Sequence, residues 1–403
     1  VSTAGGALPR KAAIVVIGGG IQGLSVAYSL AALGERDVIV LDAGYFQGGA
    51  SGRNGTLIRA GFMSNEWTAL FSLANQRWIE LSRRLGYNVM FSARGYLLLA
   101  EKPATAANFG AALATHRAHS VRSYRASQLD LAKLVPALDR SRVLDAIYFP
   151  DGGVAPHHAA MDAYHRACTT VGVRIRYESP VTQILTRGAR VVGVVGDGDG
   201  DGDGDGFEIE TDAVVLAAGA YGNAVAKLAG VELPGFPMRI EAMVLEPTRA
   251  VVRPAIAFID SLCYMAQTAR GEIVGGAEVP ERPTESLACD LPVMAATARV
   301  YRDMLPCLAK LRILRHWAGM LHATPDFGPL IGAHPSFANL WVTGGWSYGY
   351  ACAPAAGELL AKAMLKGVLD PRIVPFALDR FAHNRPVREA GIVLAARVWP
   401  TMN

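Results

Sequence analysis

Residues 12–34 read AAIVVIGGGIQGLSVAYSLAALG, a run without charge, interrupted by glycines and closed by Gly34. Arg10 and Lys11 precede it, so a signal peptide or membrane span has to be considered first, since a span needs about 20 apolar residues. Three consecutive glycines at the centre would break a spanning helix. The run divides instead into a strand ending at Ile17, a glycine turn and an apolar-rich helix. Gly18, Gly20 and Gly23 form G-x-G-x-x-G, and the next apolar run, DVIVLD, ends on Asp42. In such a βαβ unit Gly18 permits the tight turn, Gly20 lets backbone approach a pyrophosphate, and Gly23 lets helix and strand pack closely. The helix N-terminus offers N–H groups and a positive dipole end to phosphates. Asp42 is placed to accept hydrogen bonds from ribose hydroxyls. Strand, turn, helix and terminal acid together define a dinucleotide site.

The residues after this unit separate FAD from NAD. A compact succession of βα units would suit NAD. Here GGASGRNGTLIRAGF (48–62) comes directly after it, a polar, glycine-rich stretch suited to wrapping a long cofactor, with Ser51, Arg53, Asn54 and Gly55 as expected contacts. Later, FEIETDAVVLAAGAYG ends a strand in the small residues Ala217, Ala218 and Gly219. Near the C-terminus, NLWVTGGWSYGYACAPAAGELLAKAML gives strand, glycine turn and helix, with Gly345, Trp346, Ser347 and Gly349 in the turn. That second helix N-terminus would stabilise negative charge on a reduced flavin. Val181 is a further expected contact. Cofactor signals at both ends of the chain imply a cofactor domain assembled from separated segments, which fits FAD.

The expected fold class is α/β with mixed α+β character: a Rossmann-like FAD-binding domain carrying an inserted antiparallel-sheet substrate domain. Segments 1–90, 147–232 and 315–403 would form the first, and 91–146 and 233–314 the second. A chain of 403 residues suits two such units. The insertions hold RGYLLLAE, MRIEAMVLEP, SLCYMAQTA and GEIVGGAEV, apolar or alternating runs typical of strands. Between RVVGVV and FEIET lies GDGDGDGDGDG, Gly196 to Gly206. It lacks the spaced acidic terminus of a calcium loop, and its glycines and repelling carboxylates predict a disordered hairpin tip.

The formal charge is only +4, and no stretch concentrates Lys and Arg among aromatics, which excludes a nucleic-acid surface. Five scattered cysteines show no C-x-x-C pair or His/Cys cluster, so neither a metal site such as zinc nor a disulfide framework is expected. A cytoplasmic setting without a transmembrane segment fits that cysteine usage.

Together these residues resemble the D-amino-acid-oxidase-like flavoproteins, and among them the β subunit of heterotetrameric sarcosine oxidase. Related heteromeric dehydrogenases act on proline, hydroxyproline or opines. The more specific markers are YNVMFSARGYL (87–97), GGVAPHHAA (152–160), HWAGMLHATPDFGPLIG (316–332) and GGWSYGY (344–350). The resemblance implies FAD, oxidation of an amine at its α-carbon, hydride passing to flavin N5, and hydrolysis of the imine. It implies that Arg59, in the Ile58-Arg59 pair, grips the substrate carboxylate; a guanidinium suits this because it pairs with a carboxylate bidentately. Tyr264 falls on a strand facing the flavin, lining the pocket or simply packing. His322 stands to contact substrate, accept a proton or serve as a structural histidine.

The departures from the family pattern carry information too. Cys352 occupies the place of a second carboxylate partner, a lysine in sarcosine oxidases, and Leu321 and His322 stand where stand-alone enzymes often have an arginine. GEIVGGAE lacks the lysine that simple oxidases use to activate oxygen, which favours another electron carrier. His157 matches the histidine that carries covalent FMN in the sarcosine oxidase β subunit, with Pro156 in place of a basic residue and His158 in place of Asp. The other reading of PHH is an ordinary exposed turn.

The leading expectation is therefore the catalytic β subunit of a heteromeric dehydrogenase or oxidase, using FAD and with FMN at His157, that oxidises the C–N bond of a small amino or imino acid. A partner subunit would receive the electrons. The alternatives are a stand-alone FAD amino-acid oxidase using oxygen and a non-catalytic flavin-binding scaffold.

Overall fold

The computed structural model describes residues 8–197, 206–277 and 283–390. The Asp-Gly run lies almost wholly outside the described residues. The strands that flank it, Arg190–Gly196 and Phe207–Leu216, pair antiparallel.

Two sheets of eight strands organise the chain. In the first, Lys11–Ile17 lies between Phe207–Leu216 and Val38–Leu41, parallel to both. Leu340–Gly344 extends the parallel set beyond Phe207–Leu216, and Arg174–Arg176 extends it beyond Val38–Leu41. Strands from the beginning, middle and end of the sequence are thus direct neighbours. The central strand and its neighbour Val38–Leu41 are nearly continuous apolar runs, as is the second half of Phe207–Leu216, because both faces of a parallel sheet are covered.

The second sheet runs in the order Ile313–Ala323, Phe236–Leu245, Ile273–Ala277, Cys263–Gln267, Ala255–Phe258, Tyr96–Ala100, Asp145–Phe149, Tyr124–Arg125. It is antiparallel except where Ala255–Phe258 runs parallel to Tyr96–Ala100, a crossing between the two inserted segments. The strand Ile313–Ala323 spans position 315, where the sequence reading returned the chain to the cofactor unit, and it pairs along its length with Phe236–Leu245.

Two helices tie the chain ends together. The helix Ile21–Ala32 packs against Gly349–Lys366, where a Cβ on Gly357 would come within 2.3 Å of Ser25 Oγ. That close approach lets Ser25 Oγ donate to the Ala353 carbonyl at 2.7 Å. A third helix, Asn65–Leu85, is held to the same C-terminal helix by Glu358, which accepts hydrogen bonds from Arg77, Arg84 and Lys362.

The Gly152-Gly153 pair has a packing reason. A Cβ on Gly153 would stand 1.9 Å from the Ser92 carbonyl oxygen, and one on Gly152 would stand 2.6 Å from Tyr96 Cβ. The short strand Gly153–Val154 pairs with Leu57–Ile58, directly before Arg59. The exposed-turn reading of PHH does not hold: Pro156 is the N-cap and His157 the first residue of the helix His157–Thr170. Proline's fixed φ and missing N–H suit a helix start.

Candidate active site

A cavity of about 540 Å³ lies between the two sheets. The glycine turn and Asp42 line it, as do the wrapping segment from Gly48 to Leu57, Val181, the turn Ala217–Tyr221, residues of the second sheet, and the C-terminal turn. Every residue expected at the cofactor or substrate lines this cavity except Gly23, Gly345 and His157. Gly23 acts from behind the wall. A Cβ there would stand 1.9 Å from the Gly18 carbonyl oxygen, so the glycine lets the helix seat on the turn. Gly345 has φ +65 and no room for a Cβ, which would stand 2.5 Å from Thr324 Cγ2.

At the nucleotide end, Gly18 takes φ +115, a conformation glycine adopts readily. Asp42 Oδ2 accepts the Gly19 N–H at 2.6 Å and Oδ1 accepts the Gly44 N–H at 2.8 Å. Burial raises the Asp42 carboxyl above its ordinary value, and these two backbone bonds offset only part of the rise. Ser51 Oγ accepts the Ile21 N–H at 3.0 Å, fixing the wrapping segment to the helix start. The carbonyl oxygens of Gly48 and Ala318 accept from Arg53, and the Trp317 indole donates to the Arg53 carbonyl at 2.9 Å, so the second sheet holds this segment as well. Asn54 bonds within the loop, donating to the Ser51 carbonyl and accepting the Thr56 N–H.

Gln22 joins the two ends of the site, a role the sequence reading missed. Its amide donates to the Gly349 carbonyl at 2.6 Å and accepts from Thr343 Oγ1, which in turn accepts from the Trp346 indole. A glutamine inside an otherwise apolar helix start was the available signal, because a buried amide needs partners. Ser347 donates to the Phe327 carbonyl at 2.9 Å.

At the substrate end Arg59 is 2% exposed. Its guanidinium carbon lies 3.9 Å from the centre of the Phe62 ring, 5.1 Å from that of Tyr348 and 5.6 Å from that of Tyr96. Burial pushes the Tyr96 phenol up to about 12, against the opposing charge and hydrogen bond of Arg59. Sequence reasoning missed Tyr96 and Tyr348, although both stand in quoted motifs; their facing depends on where a strand start and a turn point. Tyr264 packs flat on Gly55, where a Cβ would approach its ring to 2.4 Å. Burial raises its phenol well above the ordinary value. His322 is 1% exposed, and neither ring nitrogen has a hydrogen-bond partner of normal geometry. Burial lowers it to about 4, against a smaller upward pull from the Gly235 backbone, so the ring is neutral at pH 7. Cys352 is fully buried in the C-terminal helix, away from the cavity wall.

His157 is half-buried outside the cavity, with its ring 5.9 Å from that of His158. Its Nδ1 is buried without a hydrogen-bond partner, and burial lowers its pKa.

The long cavity, its glycine cradle and two helix N-termini whose N-cap residues, Gly20 and Tyr348, make no side-chain capping bond define a dinucleotide-binding oxidoreductase. The residues fit FAD: a Cβ on Gly219, in the cavity wall, would meet nothing within 4 Å, so backbone there is open to a ligand. The chain belongs to the DAO family of FAD dependent oxidoreductases, whose pattern it matches over residues 13–363. It is 29% identical over 383 residues to the sarcosine oxidase subunit beta of Rhodobacter capsulatus, an alignment covering 94% of this chain and 90% of that protein. The crystal structure of L-proline dehydrogenase from P. horikoshii is similar with a TM-score of 0.88 and 28% identity, covering 94% of this chain and all of that one. Glycine oxidase from Geobacillus kaustophilus shares the fold, with a TM-score of 0.81 at 20% identity over 92% of this chain and 99% of its own. Among the described residues no helix is long and apolar enough to cross a membrane.

Proposed function

We propose that this protein oxidises the C–N bond of a small amino or imino acid at its α-carbon, with Arg59 holding the substrate carboxylate. The observation that carries this reading is a nearly fully buried arginine in the wall of the cofactor cavity, bedded on three aromatic rings. A carboxylate entering the cavity meets a desolvated, oriented guanidinium and pairs strongly with it. FAD, when bound, supplies the acceptor for the hydride leaving the α-carbon. Gly18, Gly20, Asp42, Ser51 and the segment through Gly55 hold the nucleotide and ring ends of that cofactor. Tyr264 closes the substrate side. His322 is neutral, with ring nitrogens open to accept a proton or bind the substrate amine.

The stand-alone reading is supported by the way the residues assigned to cofactor and to substrate line one cavity of this chain. The subunit reading has its own support. No lysine lines the cavity among the described residues, and the Rhodobacter relative is named as a subunit. Covalent FMN at His157 belongs to that second reading; the buried, unpartnered Nδ1 is the atom it would use. The scaffold reading leaves Arg59 without a purpose.

Anaerobic mixing of the flavin-loaded protein with proline, hydroxyproline, sarcosine and an opine tests the proposal. Bleaching of the flavin by at least one supports it, and no bleaching by any amino or imino acid overturns it. Peroxide formed by the chain alone in air would establish the oxidase. Acid precipitation separates the readings further: FMN kept by a His157 peptide supports the subunit.

A further inference from the structure

We propose that Glu241, Cys289 and His316 form a binding site for a divalent cation of the Zn²⁺ class, on the side of the second sheet away from the cavity. The site is independent of the oxidation proposed above. One ligand atom from each residue lies within 4.8 Å of the others. Glu241 and His316 come from the adjacent strands Phe236–Leu245 and Ile313–Ala323, and Cys289 from the segment just before the helix Leu291–Met304, whose Ala288 and Asp290 bond Arg239 and Glu241. Thiolate, imidazole and carboxylate are the donors Zn²⁺ takes, with water completing a tetrahedron.

The pair at the base of the site is already spaced as ligands. His316 Nε2 stands 2.9 Å from Glu241 Oε2, and the edge of a zinc tetrahedron is about 3.3 Å. A shift of the Cys289 side chain toward the pair would complete the triad. Glu241 is buried; its Oε1 lies 3.0 Å from Arg239 Nε, both its oxygens accept the Asp290 N–H, and Oε2 also faces His316.

Charge favours a dication. Arg239 also pairs with Asp290, so the surroundings hold one guanidinium and two carboxylates. Once the Cys289 thiol gives its proton to solvent, two negative charges remain to be met by the metal. The His316 imidazole would contribute a ring-nitrogen lone pair. Binding would exchange the His316–Glu241 contact for two metal bonds and add a sulfur bond.

The position gives the site a consequence. Arg239 donates to the Ala288 carbonyl, the Asp290 N–H bonds Glu241, and Leu287, in the same segment, lines the cavity. A cation at Cys289 would therefore clamp one wall of the cavity to the sheet.

Calorimetric titration of the flavin-loaded protein with ZnCl₂ is the first test. We expect one saturable equivalent, weakened at least tenfold in Cys289→Ser and in His316→Gln. Zinc uptake absent in the wild type, or unchanged in both variants, would overturn the site. A second measurement needs no variant: the alkylation rates of Cys289 and Cys307, both exposed, mapped by peptide mass with and without Zn²⁺. Protection of Cys289 by tenfold or more with Cys307 unaffected supports the proposal, and equal behaviour of the two thiols refutes it.

Discussion

The guanidinium of Arg59 lies flat enough on Phe62 to bring its carbon 3.9 Å from the ring centre, and the Phe62 carbonyl in turn is hydrogen-bonded by His116 Nε2 at 2.8 Å. A carbonyl only accepts, so Nε2 carries the proton and Nδ1 accepts from Ser123 Oγ at 2.9 Å. The substrate anchor therefore rests on a ring whose backbone is fixed by a neutral histidine.

Replacing Arg59 with Met should raise KM for amino-acid substrates at least tenfold, the loss of a charge-assisted contact of about 1.5–3 kcal/mol. Flavin content should be unchanged. Phe62→Leu keeps the charge but removes the ring beneath it, and a several-fold rise is expected from losing a cation–π contact of about 1 kcal/mol. Steady-state kinetics on both variants checks this, and an unchanged KM in Arg59→Met would remove the anchor.

Gly23→Ala should abolish flavin retention or folding, because its methyl would stand 1.9 Å from the Gly18 carbonyl oxygen. Gly110→Ala is the control. It lies in the helix Phe109–Ala118, with nothing within 4 Å of the added Cβ, and should be neutral or slightly stabilising. The flavin-to-protein absorbance ratio of the two purified variants separates them.

Stability should fall as pH drops from about 6.5 toward 4. Burial depresses both His116 and His322 to about 4, so in that window the unfolded chain binds protons the folded one refuses. Each contributes at most about 3 kcal/mol, complete above the unfolded value and lost as pH falls to the folded one. Urea unfolding at pH 7 and pH 5 measures it, and His322→Gln should flatten the dependence.

Glu358→Gln should destabilise the protein by about 2–4 kcal/mol, since it leaves Arg77, Arg84 and Lys362 facing a neutral amide at a buried position. Burial alone would raise this carboxyl, but hydrogen bonds from Arg77, Lys362 and Arg84 outweigh it and bring it down to about 2. Its contribution is present above about pH 4.5 and disappears as pH falls through about 2. Thermal unfolding of the variant against wild type at pH 7 and pH 3 gives both numbers.

The nucleotide end of the site was legible in the sequence because its requirements are local. A tight turn, a close backbone approach and an acid at a strand end each demand a residue type at a fixed spacing, and Gly18, Gly20, Gly23 and Asp42 meet those demands within one βαβ unit. Resemblance supplied Arg59, which the structure places in the cavity wall. Gln22, Tyr96 and Tyr348 escaped because each acts on a partner far away in sequence. Gln22 reaches Gly349 across the first and last helices, and Tyr96 and Tyr348 are brought together around Arg59.

The sequence by itself determined the class: continuous apolar runs with glycine punctuation specify the first sheet and its FAD turn, and apolar or alternating runs in the insertions specify a second sheet of strands. Only the tertiary structure decided that the PHH stretch begins a helix, that Gly152 and Gly153 admit the close approach of Tyr96 and of the Ser92 backbone, and that Glu241, Cys289 and His316 converge. The physical reason is range. Backbone geometry and periodicity act over a few residues and leave a local trace, whereas the packing of a Cβ against a distant carbonyl, or three ligands against one cation, exists only once the sheets have closed on each other.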